Sequence, residues 1–218
     1  MDPSRETETM SMKKTLAALT MTLCVPISAL ASEGADRLAA ILEPLETYAA
    51  DFEQQILDGS GQRLQEARGR MWLSRPGKFR WEVEAPYEQL VVSGGEEVIL
   101  YDPDLEQATV QPLDQRVTHT PALLLSGSAD ELTDSYEVTR QQQGASETFI
   151  LVPKDPDTLF EELKMTFRGE ALDMLQMTDS TGQRTAIGFD NVRMNEGVDE
   201  SRFAFDIPTG TDVIRSTQ

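Results

Sequence analysis

Between Tyr48 and about residue 192 the chain is written in short runs of alternating apolar and polar residues, broken at near-regular intervals by glycine, proline and aspartate. Alternation with period two followed by a turn signal restricts such a stretch to consecutive antiparallel strands. Tyr48, Ala50, Phe52, Gln54 and Ile56 alternate with polar residues, Asp58-Gly59-Ser60-Gly61 turns the chain, and a second strand runs to about Ser74. Further turns fall at Pro76-Gly77, Ala85-Pro86, Gly94-Gly95 and Asp102-Pro103-Asp104. After residue 135 the pattern resumes over 136–142, 147–152, 159–168, 171–178 and 183–192, broken by Gly144, Pro153, Gly169 and Gly182. Meanders of this length close into barrels or curl into half-barrels.

Two segments escape the alternation. Leu38, Ile41, Leu42 and Leu45 recur at helical spacing after Asp36, which reads as an N-cap, and Pro44 disturbs the helix end. Thr120-Pro121-Ala122-Leu123-Leu124-Leu125-Ser126-Gly127 carries threonine at the cap, proline at the first helical position and glycine past the end, and Asp130-Glu131-Leu132 adds a turn. A helix of barely two turns is unstable in water, so its leucines need a surface, and the concave side of a curled sheet supplies one.

At 218 residues, 39% hydrophobic, the chain supports one domain with a sizeable core, and a mean hydropathy of -0.38 excludes an integral membrane protein. Its one long apolar run, Leu16 to Ile27, follows Lys13-Lys14 and precedes Ala29-Leu30-Ala31, the layout of an export signal cut after Ala31. The run contains Pro26 and falls short of the roughly 20 residues that span a bilayer. Residues 1–31 are therefore expected to be removed, with 1–11 lying upstream of a natural start at Met12, and 32–218 to form a single domain. Cys24, the one cysteine, sits in that leader after Leu23, where a lipid-attachment site needs a small residue, so a soluble, cysteine-free mature protein is expected. The net charge of -19 makes nucleic acid and anionic membranes poor partners. It fits either a solvated surface suited to a saline habitat or a cationic partner.

The stretch Arg75-Pro76-Gly77-Lys78-Phe79-Arg80-Trp81 sets a cation among strand-like aromatics. By parity Arg75, Phe79, Trp81 and Val83 share a face, while Arg80, Glu82 and Glu84 take the other. Phe79 and Trp81 are then either ordinary core aromatics or walls of a hollow that the few helices leave unfilled. Arg75 has no carboxylate on its own face, and the partly negative carbonyls at the end of the Leu123–Ser126 helix are its natural partners.

Catalysis has no visible residues. His119, the single histidine, lacks a nucleophile motif and reads as a surface residue flanking the leucine helix; Asp102, Asp104 and Glu106 read as turn chemistry rather than calcium ligands. No phosphate loop, dinucleotide glycine pattern or zinc spacing occurs, and no cofactor or metal is expected.

Several motifs in order resemble one family: Phe52-x-Gln54; Arg75-Pro76-x-x-Phe79-x-Trp81; Tyr101-Asp102-Pro103 with Leu105-Glu106-Gln107; Thr120-Pro121; Pro153-Lys154; and Phe203-x-Phe205-x-x-Pro208-x-Gly210-x-Asp212-Val213. From about Asp36 to Ile214 the chain is similar to the periplasmic outer-membrane lipoprotein carriers, the LolA family, and departs from them at Ala122, where a bulkier lid residue is common. The resemblance implies an α+β fold, an incomplete antiparallel β-barrel (half-barrel) covered by a lid of short α-helices and enclosing an apolar cavity. It implies that Arg75 latches the lid through backbone carbonyls. Acyl chains would lie against Leu38, Leu42, Tyr48, Phe52 and Met71 on one side. Phe79, Trp81, Val83, Leu123 and Leu124 would complete the cavity. Implied partners are acylated lipoproteins, an inner-membrane ABC exporter of the LolCDE type and an outer-membrane receptor of the LolB type, with the carrier a monomer and not an enzyme. Three rivals remain: a lipid or glycolipid carrier or sensor of the same fold, the receptor itself, which needs the anchor that Leu23-Cys24 does not offer, and an esterase, for which Thr118 and Thr120 beside His119 are poor nucleophiles.

Overall fold

The computed structural model describes residues 27–113, 121–156, 158 and 160–215. The leader expected over most of residues 1–31, and His119 with Thr118 and Thr120, lie outside the described residues. Helix α1 (Ile27–Leu42) leads into β1 (Thr47–Leu57), β2 (Arg63–Ser74), β3 (Lys78–Ala85), β4 (Gln89–Gly94), β5 (Glu97–Asp102) and β6 (Gln107–Pro112). A 3-10 helix (Pro121–Ser126) and α2 (Ala129–Ser135) follow, then β7 (Tyr136–Gln143), β8 (Ser146–Pro153), β9 (Phe160–Arg168), β10 (Ala171–Asp179), β11 (Arg184–Met194) and a short β12 (Asp212–Arg215). Every strand that alternation predicts between 48 and 192 is present. The turns are made as their residues dictate: Asp58 Oδ1 accepts from the backbone N–H of Ser60 and Gln62, and Asp179 repeats the device with Thr181 and Gln183. Asp102 Oδ1 accepts from Leu105 N–H, which makes Asp-Pro-Asp an ordinary turn.

All strands belong to one open sheet in the order β12-β6-β5-β4-β3-β2-β1-β11-β10-β9-β8-β7. The two meanders are joined by β1 pairing with β11, Phe52 opposite Phe189, and the edges β12 and β7 do not meet. Strong curvature is evident from contacts that skip strands: the Tyr48 hydroxyl donates to the Leu172 carbonyl at 2.8 Å across the intervening β11. The 3-10 helix likewise touches β2 and β3 on one side and β10 on the other. This is a half-barrel whose concave side is covered by helices.

Two glycines mark where backbone must come close. At Gly69 an added Cβ would lie 1.8 Å from the Glu82 carbonyl oxygen and 2.9 Å from the Phe52 ring, so only glycine lets β2 pass there. At Gly34 it would lie 2.7 Å from the Val138 carbonyl oxygen, which records how tightly α1 is seated on the edge strand β7.

Three local expectations are corrected. Asp36 is not an N-cap but an interior residue of α1, which begins at Ile27 and so crosses the expected cleavage point; no proline interrupts residues 27–36 to stop the helix. The Pro121–Ser126 segment is a 3-10 helix, and α2 is a separate element started by Ser128, whose hydroxyl accepts from Glu131 N–H while the Glu131 carboxylate accepts from Ser128 N–H. Arg75 lies in the turn between β2 and β3, not in a strand, so strand parity does not govern it. The C-terminal segment was not anticipated either. It crosses the convex side, where Phe203 covers Trp72 and Ala49, and ends as β12 parallel to β6.

Candidate functional site

Inward-facing residues of both meanders meet in one apolar cluster. Tyr48, Ala50 and Phe52 of β1, Met71 and Leu73 of β2, and Phe79 and Trp81 of β3 come from the first; Val138, Phe149, Leu151, Leu163, Met165, Phe167, Leu175 and Ile187 come from β7 to β11. The helices add Leu38 and Leu42 of α1, Leu123 and Leu125 of the 3-10 helix and Leu132 of α2. All ten apolar residues expected at the cavity are therefore together, eight of them buried and Val83 and Leu124 partly so. Sequence reasoning missed the wall from β7 to β11, although its alternation was legible, and it missed Leu125. In a 3-10 helix residues three apart share a face, so Leu125 aligns with fully buried Ala122 while Leu124 turns to the rim.

Beneath the lid the described side chains pack closely. Phe52 and Trp81 stack with ring centroids 3.6 Å apart, Phe79 is fully buried beside them, and Leu123 and Leu125 reach in from the lid. The cavity expected beneath Trp81 is occupied by the chain's own side chains in this closed conformation, because the lid leucines take the space that the sheet leaves. A crevice of about 340 Å³ opens at the lid edge between Pro76, Gly77 and Gly95 on one side and Leu124, Leu132 and Tyr136 on the other. A larger surface groove, about 680 Å³, lies at the β1–β2 hairpin among Arg63, Glu66, Arg68 and Tyr87, and its charged lining does not suit acyl chains.

The lid is held through backbone. Arg75 Nε donates to the Leu125 carbonyl at 2.9 Å and Nη1 to the Leu42 carbonyl at 2.6 Å, so one guanidinium joins the C-terminal ends of the 3-10 helix and α1. Both carbonyls are terminal, where helices carry partial negative charge. The remaining carbonyls of the 3-10 helix end are also satisfied: Ser126 by Gly77 N–H at 3.0 Å, Leu124 by Gly127 N–H and Leu123 by the Ser126 hydroxyl. Burial pushes the Arg75 pKa below its ordinary value, yet an arginine remains charged in a protein. Among the described residues no carboxylate pairs with it. A half-buried cation on carbonyls alone is held less firmly than one paired with a carboxylate.

A second anchor lies further back along α1, at Arg37. Glu147 of β8 receives Arg37 in two bonds, Nη2 to Oε1 at 2.7 Å and Nε to Oε2 at 3.1 Å, and Arg140 Nε at 2.7 Å. Its side chain is 13% exposed. The Arg37 hydrogen bond first, then that of Arg140, holds the Glu147 carboxyl down at about 2 against an opposing desolvation. A carboxylate whose pKa falls on folding contributes stability above its ordinary 4.5, and that stability is lost as pH falls toward 2. Glu147→Gln is expected to flatten the decline of the thermal midpoint across that window, measured by calorimetry against the unaltered chain; identical slopes would show that the pairing contributes nothing.

Comparison with known proteins agrees with this architecture. The family model described as outer membrane lipoprotein carrier protein LolA matches residues 43–206. An outer-membrane lipoprotein carrier protein of Chromohalobacter salexigens is 65% identical over 199 residues, covering 91% of this chain and 95% of that protein. One of Pseudomonas aeruginosa strain PAO1 is 50% identical, covering 84% and 88%. Among solved structures, an uncharacterized conserved protein of Thermus thermophilus shares the fold at a TM-score of 0.51 and 14% identity, over 85% of this chain and 99% of that one.

Proposed function

The chain belongs to the outer-membrane lipoprotein carrier family, and from that premise we infer how its closed half-barrel takes up and gives back acyl chains. It is a periplasmic carrier of lipoproteins. Each buried methylene contributes roughly 0.8 kcal/mol, so a lipoprotein with several acyl chains does not cross an aqueous compartment unaided at a useful rate. The carrier presents a continuous apolar face to those chains. In the empty protein the lid leucines fill that face, and loading consists of exchanging them for acyl chains. Met71 and Met165, buried in the wall, are unbranched and polarizable and adjust to chains of different length.

The observation that carries this mechanism is the pair of hydrogen bonds from Arg75 to the Leu125 and Leu42 carbonyls. Opening the lid breaks the one to Leu125, so the loaded state lacks a stabilising interaction that the empty state has, and cargo is released rather than trapped. We assign loading to an inner-membrane ABC exporter of the LolCDE type and unloading to a receptor of the LolB type, to which acyl chains pass without meeting water. Export by removal of residues 1–31 supplies the periplasmic location, 32–218 act as one carrier domain, and no catalytic step is involved. Mass spectrometry of material that co-purifies from the periplasm tests the cargo. Acylated proteins are expected, and free lipid or glycolipid in their place would overturn the lipoprotein assignment in favour of a lipid carrier of the same fold.

A further inference from the structure

We propose that α1 is a fixed wall of the site and the 3-10 helix its moving flap, with Arg37, Glu147 and Arg140 the positioning residues that make the difference. The two covers are attached in different ways. Helix α1 is clamped at two points: Arg75 holds the Leu42 carbonyl at its C-terminus, and further back Arg37 forms a two-point ion pair with Glu147 while mid-helix Gly34 lies against the β7 backbone. Glu147 is itself fixed by Arg140, whose Nη2 also donates to Gln142 at 2.9 Å, so the clasp spans both strands of the β7–β8 hairpin.

Register places this clasp on the lid-facing side of the sheet. Glu147 stands directly opposite Gln142, and along each strand the same face carries buried Phe149 and Leu151 or buried Tyr136 and Val138. The inner face thus changes from apolar to charged at the point where α1 crosses it. Among the described residues the 3-10 helix has no such ion pair. Its described polar ties to the sheet side are the Arg75 bond to Leu125 and the Gly77 N–H bond to Ser126, both at one end. Behind it, α2 is moored where it enters β7, by Lys154 Nζ on the Asp134 carbonyl at 2.8 Å and Lys154 N–H on the Ser135 carbonyl at 3.0 Å.

Breaking the Arg75 bond to Leu125 and the Gly77 bond to Ser126 therefore frees the flap while α1 stays in place, and the Leu42 carbonyl remains a fixed target to which Arg75 keeps one bond. Resealing is then local. Without the clasp α1 leaves as well, Arg75 loses its fixed partner, and the closed state that drives release is weakened. The carrier reading enters only through the ligand, and the clasp is tested first without one.

Hydrogen–deuterium exchange of the full chain, empty and with a synthetic triacylated lipopeptide, decides between these motions. In the empty protein Glu147→Gln is expected to speed exchange of amides 33–42 by about tenfold and leave β10 and β11 unchanged, which also establishes that the variant is folded. The exchanged pair Arg37→Glu with Glu147→Arg is expected to restore protection. On adding lipopeptide to the unaltered chain, amides of 121–126 are expected to gain exchange and those of 33–42 to keep their protection. Equal gain in both segments, or unchanged protection of 33–42 in Glu147→Gln, overturns the fixed-wall assignment; failure of the lipopeptide to bind at all counts against the carrier reading and leaves the first measurement standing.

Discussion

Arg75→Leu is expected to load lipoprotein normally and to hand it to a receptor at least tenfold more slowly than the unaltered chain. Of the guanidinium bonds at 2.9 Å to Leu125 and 2.6 Å to Leu42, the first is the one that opening of the lid has to break. A hydrogen bond involving a charged group contributes about 1.5–3 kcal/mol, and about 1.4 kcal/mol corresponds to a factor of ten, so losing even one bond produces the expected effect. The sign follows from which state is stabilised: the bond to Leu125 belongs to the empty form, and removing it favours the loaded one. Arg75→Lys, with a single compact ammonium in place of a fork, is expected to serve one carbonyl and fall between. The measurement is the time course of transfer from preloaded protein to receptor. Unchanged transfer by Arg75→Leu would refute the latch.

The second large effect is expected at Phe79. Phe79→Glu sets a carboxylate at a fully buried position against Trp81, where no described cation faces it, and is expected to abolish cargo binding and lower the thermal midpoint together. Leu124→Glu separates the two losses. Leu124 lines the lid-edge crevice and is only partly buried, so its glutamate reaches water, the fold survives, and binding weakens by about tenfold because a charge stands where acyl chains enter. Binding as strong as in the unaltered chain would mean that cargo enters from another edge.

Much of this was legible because strands announce themselves by parity. Phe52, Met71, Phe79 and Trp81 face inward as alternation requires, and the glycine, proline and aspartate turns stand where the strands end. The carbonyl partners of Arg75 followed from a guanidinium without a nearby carboxylate beside a helix with unpaired carbonyls. Their number did not, since the bond to Leu42 needs the end of α1 brought within 2.6 Å by pairings distant in sequence. The Glu147 clasp was illegible for the same reason: Arg37 lies 110 residues away, and a glutamate among polar strand residues carries no local mark. Where the hollow opens was not legible, because that depends on how deeply three consecutive leucines sit, which a 3-10 rather than an α-helical repeat decides.

Local rules of side-chain parity, turn formation and apolar content thus determined from the sequence alone that this chain forms meandering strands with one greasy face, two helical covers and a lone cation beside them. Only the tertiary structure decided that β1 and β11 join the meanders into one half-barrel, that Arg75 grips both covers at once, and that α1 is clasped at Glu147. The physical reason is range. Alternation and turns cost and gain free energy within a few residues, whereas the site is made of contacts that exist only after distant strands have paired and the sheet has curled.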